Sequence, residues 1–119
     1  MTKTGKFKVD VFDCTVYIVV SDNIMKSINT YLRLNKEGIL DYEVDGYCWR
    51  PMSVIGTYYV FFDSDSVNLN GLNHEKSHLV EFILNDRGIR EKGEVRSYLD
   101  GYVSKKMHDF FSKRKIKLD

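Results

Sequence analysis

The chain has 119 residues, 43% of them hydrophobic and 29% charged, which excludes disordered, collagen-like and disulfide-stapled classes. That length suits one domain with a modest core and leaves no room for a second domain over a substrate, so any active cleft must be shallow or completed by a partner. The formal charge of +1 argues neither for nor against nucleic acid or membrane, yet it hides an asymmetry: residues 104–119 carry +4, from Lys105, Lys106, Lys113, Arg114, Lys115 and Lys117 against Asp109 and Asp119, and all before them −3.

In chain order, Phe7, Val9 and Val11 alternate with polar residues, and Thr15-Val16-Tyr17-Ile18-Val19-Val20 is β-branched and aromatic. Residues 7–20 therefore read as strand bent near Asp13-Cys14, either a hairpin or one long bent strand. Ser21-Asp22 offers an N-cap to a first helix with Ile24, Met25, Ile28, Tyr31 and Leu32 at helical spacing, which Gly38 can end. Residues 42–44 and 47–49 flank Asp45-Gly46, whose tolerance of positive φ predicts a two-residue hairpin turn. A further strand covers residues 57–62, and residues 63–73 read as loop. Asn73 can cap a second helix with Leu79, Phe82 and Ile83 on its apolar side and Gly88 as its stop. The last helix carries Val95, Tyr98, Leu99, Tyr102, Val103, Met107, Phe110 and Phe111 in a sustained stripe. Strands, helix, strands, helix, helix predict a single α+β domain over residues 1–119 with a small mixed or antiparallel sheet and a basic tail at about residues 112–119.

No apolar run approaches the about 20 residues that span a bilayer, and the first eight residues lack a secretion signal. These features predict a soluble protein of the cytoplasm with no membrane partner. Cys14 and Cys48 form no CxxC pair, so they read as two reduced, buried thiols rather than a metal site.

The chemistry-bearing constellation is His74-Glu75-Lys76-Ser77-His78, the pattern HExxH. Residues i and i+4 share a helix face about 6 Å apart, so both imidazoles can converge on one tetrahedral zinc, with the intervening carboxylate beside a water that the metal acidifies. Glu75 is then the general base, and zinc the Lewis acid on a peptide carbonyl. The bland alternative is two solvated histidines. Against it stand the apolar opposite face of the helix and an upstream strand, residues 57–62, that can align an extended substrate on its edge.

A zinc that keeps a position open for water needs a third protein donor. His108 is a poor choice, deep in the last helix at its basic end. Leu84 stands where the HExxHxxGxxH variant has its third histidine. Glu81 fails because i, i+4 and i+7 on one helix span about 10 Å of rise. Glu94, opening the next helix after a short turn, is the better candidate; Asp86, Glu91 and Asp100 are alternatives. The bland alternative for Glu94 is a first-turn acid favoured by the helix dipole. Tyr98, one turn after Glu94, can supply a phenolic hydrogen bond to an oxyanion, or be core. Ser77 and Arg87 can orient an imidazole or bind a substrate carboxylate.

The run from His74 to Ile89, followed by Glu94-Val95-Arg96-Ser97-Tyr98-Leu99-Asp100-Gly101-Tyr102, resembles the small zincin-like metallopeptidases of tailed bacteriophages, whose HExxH is followed by a helix of the form E-x-x-A-Y-L-x-G-Y. Val11-Phe12-Asp13 and residues 15–22 are similar to that family's opening strand. Residues 36–56 and the basic tail lie outside the likeness, and Val95 and Ser97 depart from alanines more usual in the family. The resemblance implies a zincin-like fold, Zn2+ held by His74, His78 and Glu94, Glu75 as general base, and a protein or peptide substrate in the host cytoplasm. Two other functions fit: a phage virion or assembly protein with structural or vestigial zinc, and a nucleic-acid-binding protein that contacts phosphates through its basic C-terminal tail.

Overall fold

The computed structural model describes residues 2–90 and 93–118. Strands β1 (Thr2–Val9) and β2 (Cys14–Ser21) form an antiparallel hairpin. A single 3-10 turn, Asp10–Phe12, and the left-handed Asp13 at φ 48° connect them. The hairpin thus prevails over the long bent strand, and it starts at Thr2 rather than Phe7. Val11, expected in the strand, lies in the turn and is exposed.

Helix α1 (Ile24–Leu34) is capped by Asn23, whose side chain accepts from the Lys26 N–H, not by Ser21 or Asp22. Ser21 supports the entry differently: its Oγ accepts from the Asn23 N–H and the Ser27 hydroxyl. The helix ends at Asn35, with Lys36 at φ 58°, before Gly38 is reached.

Strands β3 (Gly46–Trp49) and β4 (Thr57–Asp63) complete a four-stranded mixed sheet in the order β1-β2-β4-β3. β4 runs parallel to β2 and antiparallel to β3. Two sequence expectations are corrected. Residues 42–44 form no strand and Asp45-Gly46 no hairpin turn, because the partner of β3 is the more distant β4: Gly46 faces Phe62 and Trp49 faces Tyr59. β4, expected as the substrate-aligning edge, is an interior strand. The edges are β1 and β3.

Helix α2 (Leu69–Asp86) starts one turn earlier than Asn73 predicted, since the Asn68 side chain accepts from the Gly71 N–H. Gly88, at φ 68°, follows the C-cap Arg87 as expected. Helix α3 (Gly93–Lys113) runs back along α2, clamped by Lys76–Asp100 and Arg96–Glu81 ion pairs, both 2.9 Å.

The sheet carries apolar clusters on both faces. α1 packs over Val19, Trp49 and Phe61 on one side; α2 and α3 bury Val16, Ile18, Tyr58, Val60 and Phe62 on the other. The near-continuous apolar runs of β2 and β4 follow from this double burial. The Cα radius of gyration, 13.9 Å, lies close to the about 13.5 Å expected of one domain this long. The described residues form one α+β domain with a mixed sheet and three α-helices. Among the described residues no helix is long and apolar enough to cross a membrane.

The basic tail is seated on the domain. The chain turns back after α3 through Arg114 N–H to Phe110 O and Ile116 N–H to Phe111 O bonds, and Ile116 and Leu118 pack on the core.

Candidate metal centre

His74 and His78 stand on one exposed face of α2, and their Nε2 atoms lie 3.2 Å apart with ring planes at 84°. Tetrahedral zinc with bonds of about 2.0–2.1 Å separates two nitrogen donors by about 3.3 Å. The pair therefore already has a chelating bite. In the absence of metal the same spacing is a hydrogen bond in which one imidazole donates and the other accepts.

Glu75, beside them on α2, turns from the exposed face into the seam between α2 and β3. At 7% exposure it is the one charged side chain buried among the described residues. A Cβ on Gly46 would lie 2.9 Å from Glu75 Oε2, so only glycine lets the carboxylate rest on the start of β3. Burial raises the Glu75 pKa above the ordinary carboxylate value, and the neighbouring His74 and His78 charges partly oppose it. The Cys48 thiol beyond it is pushed far up by burial and by the Glu75 charge, which leaves it inert as a nucleophile.

A groove of about 470 Å³ opens between the N-terminal half of α2 and the start of β3, lined among others by Asp45, Gly46, Asn70, His74 and Glu75. The Asp63 N–H donates to Asp45 O; by strand alternation the peptide groups of Gly46 and Cys48 then face away from β4, along the open edge. The sequence reading missed Asp45 and Gly46 as parts of this cleft. Their Asp-Gly signature was visible, but its relation to HExxH depends on the β3–β4 pairing.

The other sequence candidates are dispersed. Glu94 is exposed in the first turn of α3, two residues before the Arg96 clamp. Asp86 accepts from the Tyr58 hydroxyl and pairs with Arg50, both at 2.6 Å, so it ties helix to sheet. Asp100 and Glu81 serve the α2–α3 clamps. Glu91 lies outside the described residues. Among the described residues no group of three His, Cys, Asp or Glu side chains forms a ready metal site. The two imidazoles thus fit a divalent ion, whereas the third donor is not gathered beside them.

Tyr98 is 54% exposed and stacks on Tyr102, so the core reading of this residue is corrected. Tyr102 donates to Lys8 O. Arg87 is corrected as a substrate ligand: its Nε and guanidinium NH2 donate to Phe12 O and Asp13 O at 2.7 and 2.8 Å, bracing the β1–β2 turn. Ser77 is solvent-exposed on α2. Both cysteines are free; Cys14 is buried and its pKa is pushed up to about 11 by burial, while Cys48 is only partly covered by surface area.

Compared with known families, with curated proteins and with solved structures, the chain finds no match in any of the three.

Proposed function

We propose that this protein is a zinc-dependent metallopeptidase with a minimal zincin-like core, of the kind tailed bacteriophages encode. The observation that carries the reading is the convergence of three features within two turns of α2: imidazole nitrogens 3.2 Å apart, a buried carboxylate between them in sequence, and an open strand edge against that carboxylate. Solvated histidines on an arbitrary helix need none of this arrangement.

His74 and His78 would hold the ion; Glu94, the third donor the resemblance implies, stands apart from them in the first turn of α3 and would complete the set only by moving toward them. The ion would supply Lewis acidity toward a carbonyl and toward water. This chain's own residues do the rest. Glu75, its proton affinity raised by burial, accepts a proton from the attacking water and returns it to the leaving amine. The outward peptide groups of Gly46 and Cys48 align an extended peptide as an added strand. Tyr98 supplies a phenolic hydrogen bond toward the developing oxyanion.

A second reading keeps fold and metal without turnover, as in a virion or assembly protein; the exposed setting of Glu94 favours it. One pair of measurements separates them. Protein purified without added metal should contain zinc, and it should cleave members of a peptide library. Glu75→Gln should retain the zinc and lose cleavage. Cleavage unchanged by that substitution would remove Glu75 as base, and zinc retention with no cleavage by the parent protein would select the second reading.

A further inference from the structure

The charge of this molecule is far more segregated than its sequence tail alone suggests. β1 contributes Lys3, Lys6 and Lys8 with no acid, and residues 104–118 contribute six cations with Asp109 alone against them. Together these two stretches hold 9 of the 18 cations and 1 of the 17 acids. The fold then brings them side by side, because the C-terminal end of α3 packs along the outer edge of β1.

The contacts at this seam are specific. The Arg114 guanidinium lies over the Phe110 ring, 4.4 Å from its centroid, and donates to Thr4 O at 2.9 Å. Lys3 Nζ donates to Arg114 O. Lys106 lies over the Tyr102 ring, whose hydroxyl donates to Lys8 O. Gly5 is what permits the approach, since a Cβ there would meet the Phe110 ring at 2.7 Å. With Thr4 O and Lys8 O both facing outward, strand alternation turns the Lys6 peptide N–H outward as well. It opens onto a narrow groove of about 170 Å³ lined by Lys6, Lys106, Lys113, Arg114 and one acid, Asp109. The Lys6 and Lys8 side chains stand on the opposite face of β1 from α3, since they pair with Tyr17 and Thr15. The edge is therefore flanked by cations on both sides.

We propose that this rim, β1 with the C-terminal end of α3, is a sequence-independent binding surface for the sugar-phosphate backbone of a nucleic acid. It does not depend on the peptidase reading. Charge complementarity selects the occupant: an extended row of cations with a backbone N–H between them matches a repeating anion. The Arg114 fork uses one donor on Thr4 O and keeps others for phosphate. The fixed positions of Arg114 and Lys106 over aromatic rings lower the ordering cost on binding.

The test is fluorescence anisotropy of the full chain with labelled DNA of about 20 nucleotides, single-stranded and duplex, across a salt series. With four cations along the rim, Lys106, Lys113 and Arg114 in the groove and Lys6 on the other side of the edge, the logarithm of affinity should fall against the logarithm of salt with a slope of about −3 to −4. Lys6→Glu with Lys113→Glu, both exposed, should weaken binding at least about tenfold and flatten the slope. Lys26→Glu with Lys36→Glu makes the same change in net charge on and after α1, and should leave affinity within about twofold. Absence of binding to either DNA form at about 50 mM salt overturns the proposal. So does equal loss in the two double variants, retention by the first, or binding only to phosphatidylserine vesicles. The wild-type salt slope decides the matter even if a variant proves unstable.

Discussion

Glu75 bears the tension of the cleft. A carboxylate at 7% exposure is desolvated, and burial raises its pKa above that of the unfolded chain. The folded state thus binds that proton more tightly; the stability this contributes is complete below the unfolded carboxylate pKa and is lost as pH rises through the folded one. Glu75→Gln should therefore raise the melting temperature of the metal-free protein near neutral pH by a few degrees, and the gain should vanish in acid, where both side chains are neutral. A thermal-shift series over pH checks this; a gain independent of pH would mean that packing rather than charge is responsible. His78→Ala should reduce zinc affinity by more than the about 10–100-fold typical of losing an outer partner, as measured by competition with a chelating dye.

At the scale of elements, two of the attachments between helices and sheet can be tested singly. Tyr58, fully buried on β4, donates to Asp86 on α2, so Tyr58→Phe should cost about 1 kcal/mol in urea unfolding. Deleting residues 114–119 removes the packing of Ile116 and Leu118 and the Arg114 bond to β1, and should cost about 2–3 kcal/mol; no loss would mean that the return strap is not seated. The same elements show what a sequence reveals. β2, β4 and α3 were legible because their signals are dense: β-branched runs buried on both faces, and a stripe sustained along the helix. The α2 start was not, because Asn68 and Asn73 are equally good caps and the intervening Gly71 costs only about 1 kcal/mol within a helix. β3 was assigned the nearer partner by local turn chemistry, whereas packing of Trp49 beside Tyr59, 5.0 Å between ring centroids, favours the distant one. For the site, HExxH spacing announced the imidazole pair and the carboxylate. Sequence proposed Glu94, with Asp86 and Asp100 among the alternatives, but among the described residues no third acid is gathered beside the imidazoles, and the ion pairs that engage Asp86 and Asp100 are visible only in the fold.

For the whole molecule, polarity outweighs net charge. The sequence pI is about 7.7, yet at about pH 8.5 a cation-exchange resin should still retain the protein through its β1–α3 rim; passage straight through would mean that the asymmetry is neutralised at the surface. Its two sheet borders also differ. α3 closes the β1 side, with Arg114 and Tyr102 occupying its outward carbonyls, whereas β3 remains open beside the histidines. A protein with a single available border can accept one added strand and no more. Sheet extension therefore stops after one event: a guest segment yields a one-to-one complex, two copies yield a closed two-fold pair that occludes both clefts, and indefinite filament growth is barred by architecture.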